Sequence, residues 1–268
     1  MLRQPAAADR FYPGDPARLE QALGQLIPQV PEKVRRPAKA IILPHAGYVY
    51  SGATAGLTVA QVTVPESVVI LGPNHYGQGA ELALSAADWS MPLGEVPRDR
   101  PLSERLLAAS SAIVSDDLAH EREHSLEVQV PFLQAQQPDL RLVALAVSQV
   151  SYGLCRQVGQ ELAKAIQDHG EPVLMVASTD MTHYKPRAQA SEQDRLAIER
   201  MLAFDPEGLY RVVGERGITM CGVLPTTIVL LAAKELGASK VELVHYTDSG
   251  EVSGDTDQVV GYAGLIVS

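Results

Sequence analysis

Six short runs of the chain are continuously apolar and rich in β-branched residues: Ala40–Leu43, Ser67–Leu71, Leu142–Val147, Val173–Ala177, Val241–Tyr246 and Val259–Val267. Continuous apolarity, without the alternation of a half-exposed strand, predicts strands covered on both faces. Between them the period changes. Pro16–Leu26 sets Leu19, Leu23 and Leu26 on one face of a helix, and Leu102–Ala109, Ser125–Gln136, Leu154–Gln167 and Gln189–Phe204 show the same spacing. Val223–Leu236 is apolar almost all round and predicts a more buried helix, stopped by Gly237. Strands alternating with helices predict a three-layer α/β/α domain with a central mixed or largely parallel sheet. No Gly/Ser run, like-charge block or internal repeat interrupts the chain, so residues 1–268 read as a single domain.

Composition narrows the function. The 268 residues are enough for a core that needs no disulfide or structural metal. Lys and Arg total 22 against 32 Asp and Glu, a net charge of −10, which argues against general binding to a phosphate backbone. Two distant cysteines suit a reducing cytosol. Met1–Pro5 lacks the apolar stretch of a signal peptide, and the most apolar window, Gly222–Ala233, is too short to span a bilayer. The expectation is a cytoplasmic protein acting on a small molecule, with no nucleic-acid or membrane partner.

The candidate chemistry sits in the loops at the strand ends. Ala40–Leu43 runs into Pro44-His45-Ala46-Gly47-Tyr48, and Ser67–Leu71 into Gly72-Pro73-Asn74-His75-Tyr76. Val173–Ala177 runs into Ser178-Thr179-Asp180-Met181-Thr182-His183-Tyr184. Ligands of open α/β sheets bind beyond the carboxyl ends of the strands. If these strands are parallel neighbours, His45, His75 and His183 converge on one crevice. Asp180, three residues before His183, would orient that imidazole or share its proton transfer; the competing role is a helix cap. His124 and Glu127 lie three apart at the start of a predicted helix, a spacing that suits a ligand or a supporting hydrogen bond, or merely an acid-rich first turn. Cys155 joins an apolar stripe. Cys221 precedes the Val223 helix, where a helix N-terminus favours thiolate, the form that binds metals; the alternative is a buried loop thiol. His120, His169 and His245 have no evident partners, Asp255 and Asp257 do not make a calcium loop, and neither a Walker motif nor a G-x-S-x-G elbow occurs.

Two imidazoles and one anionic ligand leave open positions on a divalent metal: ferrous iron where the anion is a carboxylate, and zinc, iron or copper where it is a thiolate. His183 would then be a free base beside the metal, or a metal-activated water would give hydrolysis. Tyr48, Tyr76 and Tyr184 flank the histidines as pocket walls or as ordinary loop anchors.

Together, Arg10-Phe11-Tyr12-Pro13, Pro44-His45-Ala46-Gly47-Tyr48 with Tyr50-Ser51-Gly52, Leu71-Gly72-Pro73-Asn74-His75, Glu123-His124-Ser125-Leu126-Glu127, Ser178-Thr179-Asp180-Met181-Thr182-His183-Tyr184, Met220-Cys221-Gly222, and Ser253-Gly254-Asp255 with the later Val260-Gly261-Tyr262-Ala263 form an ordered set. It resembles the Memo family, whose bacterial members are called AmmeMemoRadiSam system protein B. The resemblance implies the fold of class III extradiol ring-cleaving dioxygenases, with His45 and His75 as metal ligands. Cys221 falls where the dioxygenases carry a carboxylate, and His183, with Asp180, where they carry a catalytic histidine. His124, Glu127, Tyr48, Asn74 and Tyr184 would complete the pocket. The implied activity is an iron- or copper-dependent oxidoreductase; zinc-dependent hydrolysis, or a non-catalytic module binding phosphotyrosine peptides or other ligands, is the alternative. Proteins of the AmmeMemoRadiSam system are the implied partners. A thiolate in place of a carboxylate is itself oxidisable, so ring cleavage does not follow from the fold.

Overall fold

The computed structural model describes residues 1–268. Nine strands form the main sheet: β1 (Ala40–Leu43), β2 (Ser67–Pro73), β3 (Leu82–Leu84), β4 (Val114–Ser115), β5 (Arg141–Val147), β6 (Val173–Ser178), β7 (His183–Lys185), β8 (Val241–Asp248) and β9 (Val259–Val267). Their order is β7-β9-β1-β6-β2-β5-β3-β4, with β8 also paired to β9. The centre is parallel: β1 on β6, β6 on β2 and β2 on β5, while β9 runs antiparallel to β1. The predicted mixed sheet is therefore what forms. The register aligns Leu43 with Ser178 and Leu71 with Ala177, so three neighbouring strands end at one level and release their loops to one side.

Because successive side chains alternate across a strand, the sheet builds two cores. Ile42, Leu71, Leu145 and Met175 face one side, covered by α3 (Arg100–Ala109), α5 (Tyr152–His169), α6 (Arg187–Leu202), α7 (Pro206–Arg216) and α8 (Val223–Glu235). Ile41, Ile70, Leu142 and Val176 face the other, beneath α1 (Pro16–Leu26), α2 (Tyr48–Val59) and α4 (Val130–Gln134). This is the three-layer arrangement predicted from the patterning. A small separate sheet joins Leu2–Arg3, Asp88–Met91 and Gly94–Val96.

One helix expectation fails. The segment predicted as one helix, Ser125–Gln136, is a turn, a 3₁₀ turn at Glu127–Gln129 and the short α4. Pro131 explains the break: proline is tolerated only in the first turn, which fixes the helix start at Val130. The helix predicted at Gln189–Phe204 forms as α6, Arg187–Leu202, and leads into a helix that periodicity does not isolate, α7, whose cap Asp205 accepts from the Gly208 amide and directly precedes Pro206.

Two glycines set how closely elements approach the loop side. A Cβ on Gly222 would lie 2.3 Å from the Ser178 carbonyl oxygen, so only glycine lets the start of α8 abut the end of β6 and carry Cys221 inward. A Cβ on Gly72 would lie 2.7 Å from Ser125 Oγ, so glycine likewise admits the 123–126 turn against β2.

Candidate metal centre

His45, two residues beyond β1, His75, two beyond β2, and Cys221, just before α8, meet above the sheet. One ligand atom from each lies within 4.8 Å of the others. Cys221 Sγ is 3.2 Å from His45 Nε2, and the His45 and His75 rings stand edge to face with centroids 5.2 Å apart. Of the three histidines expected to converge from strand ends, His45 and His75 share this group, and Cys221 rather than His183 completes it.

Donor counting fixes which nitrogen each imidazole offers. Ser178 Oγ has one hydrogen, which goes to the Ser125 carbonyl at 2.6 Å. Gln129 Nε2 donates to the Pro44 carbonyl at 2.9 Å and to Ser178 Oγ at 2.8 Å. His45 Nδ1, 2.9 Å from Ser178 Oγ, must therefore be the N–H partner, which leaves the Nε2 lone pair facing Cys221. His75 Nδ1 lies 2.9 Å from Glu123 Oε1, again an acceptor, so its Nε2 is also free. His183 Nδ1 lies 2.9 Å from the Thr219 carbonyl, with the same consequence. All three imidazoles thus offer Nε2.

Electrostatics derive from burial and from these bonds. Burial lowers the His45 pKa, reinforced by the nearby His75, which keeps the ring neutral as a ligand must be. Burial alone would raise the Glu123 pKa, but the His75 ring and the amides of Ser125 and His75 outweigh it and bring it to about 2. Glu123 therefore holds His75 as a charged acceptor. His124 is lowered to about 4, by burial first and then by His45. Its ring is sandwiched between Phe11 at 4.3 Å and His75 at 4.7 Å. The thiolate preference expected of Cys221 at a helix N-terminus does not hold for the protein alone: burial and then the Asp180 carboxylate push the thiol up.

The other predicted residues divide. Asp180 is buried and accepts from the His45 amide at 2.7 Å, so it braces the His45 loop; it makes no bond to His183, which the Thr219 carbonyl orients instead. Nor does Asp180 cap a helix, since the next element is β7. Glu127 is not beside His124. Because the turn is not helical, Glu127 points away and receives Arg3, the Tyr12 hydroxyl and the Ala6 and Ala7 amides at 2.6–2.8 Å. Tyr48 is buried against Phe132, its hydroxyl donating to the Val128 carbonyl. Asn74 closes a turn, donating to Gln78 and accepting from Gly77, at the edge of the cavity that His75 and Cys221 line. Tyr184 is exposed, with φ at +57°.

Sequence reading misses Glu123, Ser178, Gln129 and Thr219, which hold the ring nitrogens directly or through Ser178 Oγ. Glu123 adjoins a candidate histidine, and only the helical assumption, which pairs His124 with the residue three further on, turns attention to Glu127. The Ser178, Gln129 and Thr219 contacts depend on strand order and carry no local signal.

Comparison with known proteins bears on the whole chain. The family model described as Memo-like protein matches residues 3–266. A MEMO1 family protein of Methanosarcina barkeri is 40% identical over 267 residues, covering 99% of this chain and 100% of its own. Those of Aquifex aeolicus and Methanopyrus kandleri are 40% and 39% identical over 99% of this chain, covering 98% and 99% of their own. An uncharacterised protein of Escherichia coli K12 aligns with a TM-score of 0.55 at 16% identity, over 83% of this chain and 98% of its own, a likeness of fold. The chain belongs to the Memo family.

Proposed function

We propose that this protein binds one redox-active metal ion, iron or copper, through His45, His75 and Cys221, and acts as an oxidoreductase on a small substrate. The observation that supports this best is the pair of locked imidazoles: both keep Nε2 free, that of His45 faces the Cys221 sulfur at 3.2 Å, and a ligand atom of each of the three residues lies within 4.8 Å of the others. Two imidazoles and a thiol are donors that iron, copper and zinc all accept. Bound iron or copper would supply one-electron chemistry and Lewis acidity, and a cation would favour the Cys221 thiolate that burial otherwise disfavours.

The protein's own residues have distinct tasks. Ser178 and Glu123 hold the two rings in register, and outer partners of this kind set ligand orientation and basicity. Asp180 fixes the backbone of the His45 loop. His183, with Nδ1–H tied to Thr219, presents Nε2 to accept a proton from a bound substrate. No helix is long and apolar enough to cross a membrane, which is compatible with the cytoplasmic setting we assign to the reaction.

Anaerobic calorimetric titration of metal-free protein with Fe(II), Cu(I) and Zn(II) tests the reading. One ion per chain is expected, with binding at least a hundredfold weaker in His45→Ala. Oxygen consumption by the iron or copper form with a substrate would support the oxidoreductase assignment. Turnover by the zinc form without oxygen would shift it to hydrolysis. Unchanged metal binding in His45→Ala would overturn it.

A further inference from the structure

Beside the centre lies a cavity of about 320 Å³ between the ends of β2 and β5 and the start of α8. His75 and Cys221 form part of its lining, Val147, Leu224 and Pro225 supply an apolar wall, and Ser148 and Gln149 add neutral polar groups. Asn74 also lines it, but its amide is already used in its own turn. The side chains of Ser148 and Gln149 carry no hydrogen bond within the chain, so they are free for a ligand.

None of the residues lining this cavity is Lys, Arg, Asp or Glu. Four other clefts each carry charge: Glu20 and Arg35 in one, Arg10 and Arg18 in a second, Glu192 and Arg195 in a third, Asp117 and Glu121 in a fourth. Two acids beside the metal ligands are engaged elsewhere, Glu123 by His75 and Asp180 by the His45 amide. Within that lining an anion finds no Lys or Arg, and an organic cation finds no carboxylate to pair with. Either would lose hydration without a compensating partner.

We infer that the ligand meeting this centre is a small uncharged molecule with an apolar part against Val147 and Leu224 and a hydrogen-bonding group reaching Ser148 or Gln149. This rests on the reading of His45, His75 and Cys221 as the reacting centre. It names the substrate class of that site as neutral rather than as a carboxylate, phosphate or amine.

The isosteric probes benzamide, benzoate and benzamidinium separate the cases, titrated into metal-free protein while the methyl NMR signals of Val147 and Leu224 are monitored. Benzamide is expected to shift both saturably, with the two ions at least tenfold weaker. Gln149→Arg should reverse the preference toward benzoate, and Leu224→Trp, with a dispersed methyl spectrum as proof of folding, should abolish benzamide binding. Benzoate or benzamidinium binding as tightly as benzamide in the unaltered protein would overturn the inference. So would no binding of benzamide by protein that still takes up its metal. Benzamide binding in protein that fails to take up metal would instead sustain the cavity and remove the proposed function.

Discussion

Replacing Ser178 with alanine tests the imidazole lock where it is most exposed to failure. The hydroxyl serves three groups at once: it donates to the Ser125 carbonyl and accepts from His45 Nδ1 and Gln129 Nε2. In Ser178→Ala, Gln129 keeps its bond to the Pro44 carbonyl, but the His45 N–H and the Ser125 carbonyl lose their partners in a fully buried environment. Each unsatisfied group costs about 1–3 kcal/mol, so urea unfolding should show a loss of about 2–6 kcal/mol with an unchanged slope. The His45 proton is also released to move to Nε2, which blocks the lone pair that faces Cys221. Metal affinity should then fall about 10- to 100-fold, the usual effect of losing an outer partner of a ligating imidazole. Nitrogen-15 NMR of the metal-free protein reads the tautomer directly: Nδ1–H in the wild type, a mixture in the variant. An unaltered His45 spectrum together with metal affinity within twofold of wild type would refute the donor counting.

The same physics gives three further outcomes. Glu123, held at about 2 against an ordinary value of 4.5, stabilises the folded state above about pH 4.5, and that contribution is lost as pH falls toward 2. The shift corresponds to at most about 3 kcal/mol, so Glu123→Gln should flatten the acid limb of a stability profile and weaken metal binding, and an unchanged limb would count against it. His120, buried with Nε2–H donating to the Ala83 carbonyl, is lowered to about 4 by its burial. Its folded value lies below its unfolded one, so stability is full above about pH 6.5 and declines toward pH 4; His120→Gln should remove that slope in urea midpoints measured across the range. Arg3→Ala strands the buried Glu127 carboxylate and removes the guanidinium that lies 4.2 Å over Trp89. A loss of about 3–5 kcal/mol is expected, partly restored in Arg3→Ala/Glu127→Gln, and additive losses in the double variant would contradict the pairing.

Burial periodicity is legible in the sequence because it is local. The apolar runs at Ala40–Leu43 and Val173–Ala177 read as strands since nothing polar interrupts them, and His45 and His75 stand out because each comes just after such a run. That the strands are parallel neighbours is an assumption from sequence; the β1-β6-β2 order supplies the physical reason that their ends coincide. Short strands such as Leu82–Leu84 and Val114–Ser115 carry too few residues for a period to register. Pro131 carries the one local warning against the Ser125–Gln136 helix, and reading through it misassigns Glu127. The polar shell is beyond reach for a different reason: Ser178 becomes a partner of His45 only through a contact 133 residues away in the chain.

X-ray absorption at the iron edge of anaerobically loaded protein addresses the central claim most directly. The account predicts one sulfur and two imidazole nitrogens bound to the ion in the wild type, with the sulfur gone in Cys221→Ser and one imidazole gone in His75→Ala. A first shell of oxygen and nitrogen alone in the wild type, or a sulfur that persists in Cys221→Ser, would contradict it.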